Sequence, residues 1–125
     1  MTGLILGDLH AGATLGLSTP EYWSEPESEI GRAQRALTRW FCETVEALGP
    51  VDFVVLNGDA IEGRNVKAGG SGLLTIDRLE QCKIAAHYIK KIIYKNLYIV
   101  KGSKYHVGKE ESWEKAVELL RLVGI

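Results

Sequence analysis

The sequence predicts an α/β domain in which three strand–helix units form a mainly parallel sheet flanked by helices. Short apolar runs at residues 4–7, 53–56 and 97–100 alternate with longer stretches whose apolar residues recur every three or four positions. This alternation implies right-handed crossovers and therefore parallel strand pairing. Polar residues follow each apolar run directly, at the end of a strand where ligands bind in open sheets of this kind.

The first helix is predicted from Ile30 to Leu48, because its apolar residues form one stripe at helical spacing. Ser28 or Glu29 is positioned to begin it, and the Gly-Pro pair at 49–50 ends it. Its expected inner face consists of Ile30, Ala33, Leu37, Phe41, Val45 and Leu48.

The second strand, at 53–56, is uniformly apolar, which is typical of a strand buried on both faces. A second helix is predicted over residues 75–95, and a third from about Lys109. The inner face expected for the second helix consists of Ile76, Leu79, Cys82, Ala86, Ile89 and Ile93. That of the third consists of Trp113, Ala116, Val117, Leu120 and Val123.

Two loops have more than one interpretation. The loop at 11–28 contains Tyr22 and Trp23, which either pack beneath it or line the rim of a pocket, and we favour packing. The glycine-rich segment at 63–74 is either a plain connection or a loop whose cations contact a phosphate.

Length and charge limit the class of protein. The 125 residues are expected to form one domain, 1–125, and 46% of them are hydrophobic. The net charge of −1 gives no electrostatic signature of nucleic-acid or membrane-surface binding. Cys42 and Cys82 lie in predicted helices and are expected to be free thiols, with one disulfide as the alternative. No leader or membrane span is recognisable, so we expect a cytoplasmic protein.

Asp8 and His10 directly follow the first strand, and residues two apart in an extended chain point the same way. A carboxylate and an imidazole that converge are suitable ligands for a divalent metal ion. Asp59 follows the second strand, and Ser103 and His106 follow the third. Since parallel strands end at one edge of a sheet, the sequence predicts a metal site there. The simpler alternative is that the aspartates cap helices or turns.

Three segments, in this order, resemble the calcineurin-like metallophosphoesterases. Residues 7–10 (GDLH) resemble the Asp-x-His motif of that family, and residues 58–62 (GDAIE) resemble its Gly-Asp-x-x-Asp motif with Glu62 in the last place. Residues 102–106 (GSKYH) resemble its Gly-Asn-His motif in an extended form. The resemblance covers essentially the whole chain but only the N-terminal half of the family's four-layer α/β sandwich.

The resemblance implies a hydrolase that cleaves a phosphomonoester or phosphodiester with a water activated by two metal ions. Asp8 and His10 would bind the first ion, Asp59 both ions, and Ser103 the second ion. His106 would be catalytic, contacting the substrate or protonating the leaving oxygen. Carboxylate and imidazole ligands suit Mn, Fe, Zn or Ni and do not select among them.

The alternative function is a non-catalytic metal- or nucleotide-binding α/β module. The family continues into a second half with further histidine motifs that this sequence lacks. We therefore expect either a fragment, a homo-oligomer that covers an apolar face, or a reduced form; the expected partner is a phosphorylated substrate. A dinucleotide-binding domain is disfavoured, because the glycines at 7, 12 and 16 do not follow Gly-x-Gly-x-x-Gly. A receiver domain is disfavoured because only fragments of its pattern, clustered acids after the first strand and a late lysine, are present.

Overall fold

The computed structural model describes residues 1–63 and 72–100. In order, the elements are β1 (Gly3–Leu6), a 3-10 helix (Pro20–Tyr22), α1 (Glu29–Leu48), β2 (Val51–Asn57), α2 (Arg78–Ile89) and β3 (Tyr94–Val100). The strands form one parallel sheet in the order β1-β2-β3, which confirms the predicted α/β class. The helix expected from Lys109 lies outside the described residues.

One face of the sheet contributes to the hydrophobic core. The strand register places the alternate residues of this face side by side, and they are Leu4, Leu6, Val54, Leu56, Leu97 and Ile99. Phe41 of α1 and Ile89 of α2 belong to the same core cluster, so both helices pack against this face.

The opposite face is partly open. Ile5 and Tyr98, which flank Val55 in the register, are 67% and 57% exposed. The Phe53 ring lies over Gly3, where an added Cβ would come within 2.1 Å of it. The expectation that the second strand is buried on both faces is therefore wrong, because Phe53 and Val55 are only half-buried.

The predicted bounds of α1 are confirmed. The Ser28 hydroxyl caps its first turn by accepting a hydrogen bond from the Gly31 N–H at 3.0 Å. Gly49 ends the helix with a φ of 68°, a conformation that glycine adopts without steric cost.

The buried face of α1 differs from the predicted stripe. Ile30 is 42% exposed, whereas Gln34 is 1% exposed. Gln34 is buried because the loop before α1 packs against it: its Nε2 donates to the Thr14 carbonyl at 3.0 Å and its Oε1 accepts from the Ser24 N–H at 2.8 Å. The loop backbone thus provides hydrogen-bond partners for the Gln34 amide, as a buried polar side chain requires.

The second helix is shorter than predicted. The Asp77 side chain caps it by accepting from the Leu79 N–H at 2.9 Å, and the helix ends at Ile89 instead of continuing to residue 95. Tyr94 and Lys95 belong to β3, and Tyr94 pairs with Val51. Pairing with β2 satisfies the backbone of this segment. Ile93, the last residue of the predicted stripe, lies between α2 and β3 and is 66% exposed.

The remaining features of the described residues agree with the sequence-based expectations. Cys42 and Cys82 are free thiols. In residues 1–63 and 72–100, no helix combines the length and the apolar character needed to cross a membrane.

Candidate metal centre

The candidate site lies beyond the carboxyl ends of β1 and β2. Leu6 pairs with Leu56 near the ends of these neighbouring strands, so the residues that follow leave the sheet at the same edge. Asp8 and His10 come from the segment after β1, and Asp59 comes from the segment after β2. The strand order therefore brings together two segments that are about fifty residues apart in the sequence.

The two segments are joined by their own backbones. The His10 N–H donates to the Asp59 carbonyl at 3.0 Å, and the Ala11 N–H donates to the Ala60 carbonyl at 3.1 Å. The Glu62 N–H donates back to the Ala11 carbonyl at 2.8 Å. These bonds continue the parallel pairing of β1 and β2 into the site and hold both segments in one register.

Asp8, His10 and Asp59 each offer one ligand atom, and these atoms all lie within 4.8 Å of one another. Nε2 of His10 is 3.5 Å from Oδ1 of Asp8. The Asp8 side chain is 74% exposed, His10 is 29% exposed, and Asp59 is half-buried. The cluster therefore opens to solvent on the Asp8 side.

The same three residues have an unusual backbone conformation. Asp8, His10 and Asp59 have φ values of 55°, 47° and 50°, and no other non-glycine residue has a positive φ in the part of the chain that the structure describes. A left-handed backbone costs about 1–2 kcal/mol for a residue with a Cβ. Such conformations persist where the surrounding structure enforces them, and they concentrate at functional sites.

Strand alternation does not account for the convergence of Asp8 and His10. β1 ends at Leu6, and neither residue has an extended backbone. The two side chains converge because Asp8 and His10 both have a left-handed backbone, and backbone bonds to the segment after β2 hold this conformation. The predicted contact is present, but the physical reason given for it is wrong.

Helix capping does not explain the aspartates either. Ser28 caps α1 and Asp77 caps α2, so Asp8 and Asp59 cap neither of the described α-helices. The side chains of both residues are instead directed into one cluster with His10.

Glu62 also lies at the candidate site, although the sequence alone predicted no role for it there. Its Oε2 lies 2.6 Å from Nδ1 of His10, on the opposite side of the ring from Nε2, and the residue is 6% exposed. Its place at the end of the segment GDAIE, three residues after Asp59, was the available signal. Its contact with His10 depends on the pairing of the two segments and is not visible in the sequence.

Gly16 allows the loop after His10 to fold tightly over the site. An added Cβ at this position would lie 2.1 Å from the His10 carbonyl oxygen and 2.8 Å from its carbonyl carbon. The adjacent Leu17 N–H donates to the Leu9 carbonyl at 3.1 Å. The absence of a side chain at Gly16 is therefore required for the observed path of residues 8–17.

The aromatic residues of the loop at 11–28 pack beneath it, as we favoured. Trp23 donates from Nε1 to the Ser18 hydroxyl at 3.1 Å, and the Arg35 guanidinium lies 5.0 Å from its ring centroid. The Tyr22 hydroxyl donates to Glu80 at 3.1 Å.

The groups with clearly shifted pKa values lie outside the cluster. Burial raises the pKa of the Cys82 thiol to about 12. Burial also raises the pKa of Tyr88 and lowers that of His87. Cys82 is therefore a protonated core residue at neutral pH and is not a candidate ligand or nucleophile.

Two of the five predicted site residues are not placed. Ser103 and His106 lie outside the described residues, as do Arg64, Asn65 and Lys67 of the glycine-rich segment. The structure brings together the other three: Asp8, His10 and Asp59.

The donor set fits a divalent cation. Two carboxylates and an imidazole nitrogen suit a borderline transition-metal ion, and a third carboxylate, from Glu62, lies behind the imidazole. No family model matches the chain, and no curated protein matches it significantly. The function of the site must therefore be inferred from its own residues.

Proposed function

We propose that this chain is a metal-dependent phosphoesterase that hydrolyses a phosphomonoester or a phosphodiester. One observation supports the proposal: the three non-glycine residues with positive φ in the described ranges are also the three that form the candidate metal cluster. Backbone strain at all three ligand-type residues is expected where a fold maintains a functional geometry.

In this proposal Asp8 and His10 would hold one ion, and Asp59 would be shared by both ions. Bound divalent ions would polarise the phosphoryl oxygens and lower the pKa of water. The exposed side of the cluster, at Asp8, is where a phosphate would approach. Ser103 is proposed as a ligand of the second ion, and His106 as the donor of a proton to the leaving oxygen. The ions themselves are proposed as Mn, Fe, Zn or Ni.

The test is manganese-dependent hydrolysis of bis(4-nitrophenyl) phosphate and of 4-nitrophenyl phosphate. Asp8→Asn and Asp59→Asn each remove a charged ligand and are expected to reduce turnover at least 100-fold, in the range of a lost metal or transition-state contact. Asp52→Asn is the matched control, because Asp52 lies near the opposite end of β2 and bonds Lys95 and the Thr2 N–H. Full activity in both site variants would show that the assignment is wrong.

A second function is favoured by one feature of the cluster. Among residues 1–63 and 72–100, the structure groups three ligand-type side chains, which is enough to hold one ion. A module that binds a metal or a nucleotide without turnover would need no ligands beyond these three. This second function predicts that about one equivalent of metal binds in titration calorimetry and that neither ester is hydrolysed. Detectable turnover would exclude it.

We also propose a cytoplasmic location. Cys42 and Cys82 are both free thiols, as is usual in a reducing compartment.

A further inference from the structure

We propose that Glu62 is a positioning residue that keeps the proton of the His10 imidazole on Nδ1. Nε2 then faces Asp8 and Asp59 and is the nitrogen left to bind a cation. The part of this inference that concerns cation binding rests on the proposed function, whereas the part that concerns the tautomer does not.

The contacts of the imidazole determine where its proton lies. Nδ1 of His10 lies 2.6 Å from Oε2 of Glu62. A carboxylate that is ionised can only accept, so this contact points to a proton on Nδ1. The distance is in the range of a charge-assisted hydrogen bond. Nε2, on the other side of the ring, lies 3.5 Å from Oδ1 of Asp8 and belongs to the ligand cluster. The two nitrogens therefore have different partners and different tasks.

Glu62 is itself held firmly. It is 6% exposed, its N–H donates to the Ala11 carbonyl at 2.8 Å, and the preceding residue, Ile61, forms a β-bridge with Ala11. A buried carboxylate on a fixed backbone restricts the rotation of the imidazole that it contacts. Glu62 is not among the clustered ligand atoms, so it acts through His10 and not as a ligand.

This arrangement has a known consequence for metal ligands. A carboxylate that accepts from the second nitrogen of a ligating histidine fixes its tautomer and raises its basicity. Loss of such a partner lowers metal affinity by about 10–100-fold. Glu62 is thus expected to determine how well His10 binds a cation.

The tautomer is measured first, without metal, by two-bond proton–nitrogen correlation NMR on protein labelled with ¹⁵N-histidine. His10→Gln identifies the resonances, and the spectra are recorded at a pH where the His10 signals no longer change. Wild type is expected to show a protonated Nδ1 with a far-downfield proton. Glu62→Ala is expected to lose this tautomer preference.

Glu62→Gln keeps the shape of the side chain and covers the case in which Glu62→Ala does not fold. The neutral amide accepts a weaker hydrogen bond, so the Nδ1 proton resonance is expected to move upfield. An Nε2–H tautomer in wild type, or an unchanged Nδ1 proton in Glu62→Gln, would overturn the inference.

Metal affinity is measured next, by calorimetric titration with Zn²⁺. Glu62→Ala is expected to bind about 10–100-fold more weakly than wild type. Glu80→Gln is the matched control, because Glu80 also accepts a side-chain hydrogen bond, from Tyr22, but lies outside the cluster. If wild type binds no Zn²⁺, the proposed function fails, while the tautomer experiment still decides the role of Glu62. If Zn²⁺ binds equally well to wild type and both Glu62 variants, the inference fails and the metal site remains.

Discussion

The Gln81 side chain holds Gly63, the residue after Glu62, by both its N–H and its carbonyl. Its Oε1 accepts from the Gly63 N–H at 2.7 Å, and its Nε2 donates to the Gly63 carbonyl at 3.0 Å and to the Thr75 carbonyl at 2.9 Å. Gln81 is 0% exposed. The side chain of Gln81 therefore links α2 to the backbone that directly follows Glu62.

Replacing Gln81 with leucine is expected to destabilise the protein strongly. The substitution leaves three backbone groups without their partner, and each unsatisfied buried group costs about 1–3 kcal/mol. The free energy of unfolding in urea should fall by more than about 2 kcal/mol. Lys83→Ala is the control on the same helix, since it loses only an exposed pair with Glu80, worth less than about 1 kcal/mol. Equal stability of the two variants would contradict the role of Gln81.

Gly16→Ala is expected to displace the segment that contains His10. The new Cβ would meet the His10 carbonyl oxygen at 2.1 Å, a backbone atom that cannot rotate away. Gly49→Ala is the comparison, because it introduces an unfavourable φ of 68° into open space, at a cost of about 1–2 kcal/mol. Urea unfolding should show the larger loss for Gly16→Ala, and its His10 resonances should shift. A smaller loss than for Gly49→Ala would show that the loop path is adaptable.

Metal addition is expected to stabilise the folded chain through Asp8 and Asp59. A ligand that binds only the folded state at 100 times its dissociation constant adds about 2.7 kcal/mol to the free energy of unfolding. The midpoint of thermal unfolding should therefore rise on addition of Mn²⁺ or Zn²⁺ and return when a chelator is added. Asp8→Asn and Asp59→Asn should abolish the rise, whereas Asp52→Asn should keep it. A rise that persists in both site variants would place the bound ion elsewhere.

Cys82 is expected to make stability depend on alkaline pH. Its folded-state pKa is raised by burial from the ordinary 9.0 to about 12. The contribution of the Cys82 thiol to the free energy of unfolding is complete below pH 9.0. It is lost as pH rises from there to about 12, because the thiol of the unfolded chain ionises first. The slope of unfolding free energy against pH above 9 should be smaller in Cys82→Ala. Burial of Tyr88 raises its pKa as well, and Tyr88 contributes to the slope in both proteins. The slope of the wild type minus the slope of Cys82→Ala therefore reports Cys82.

The thiols also provide a kinetic test of burial. In a Cys42→Ser background, the fully buried Cys82 should react with a thiol reagent only as fast as the protein opens. In a Cys82→Ala background, the half-buried Cys42 should react faster. Equal rates in the folded protein would contradict the burial of Cys82.

Local signals predicted the presence and order of the three strands and the bounds of the first helix. The Ser28 cap and the Gly49 end mark α1 because both act within a few residues of sequence. The end of α2 was predicted wrongly, since residues after Ile89 have helical periodicity but Tyr94 pairs with Val51, some forty residues away. Periodicity describes a segment by itself, and sheet pairing depends on the partner.

The order of elements, the parallel sheet and the position of Asp8, His10 and Asp59 after strand ends can be predicted from local patterns in the chain. These follow from periodicity and from the right-handed connection of successive strands. The left-handed backbone of these three residues and the contact between Glu62 and His10 become visible only in the folded chain. Both features depend on hydrogen bonds between segments far apart in the chain, such as that from His10 to Asp59, and no local pattern encodes such bonds.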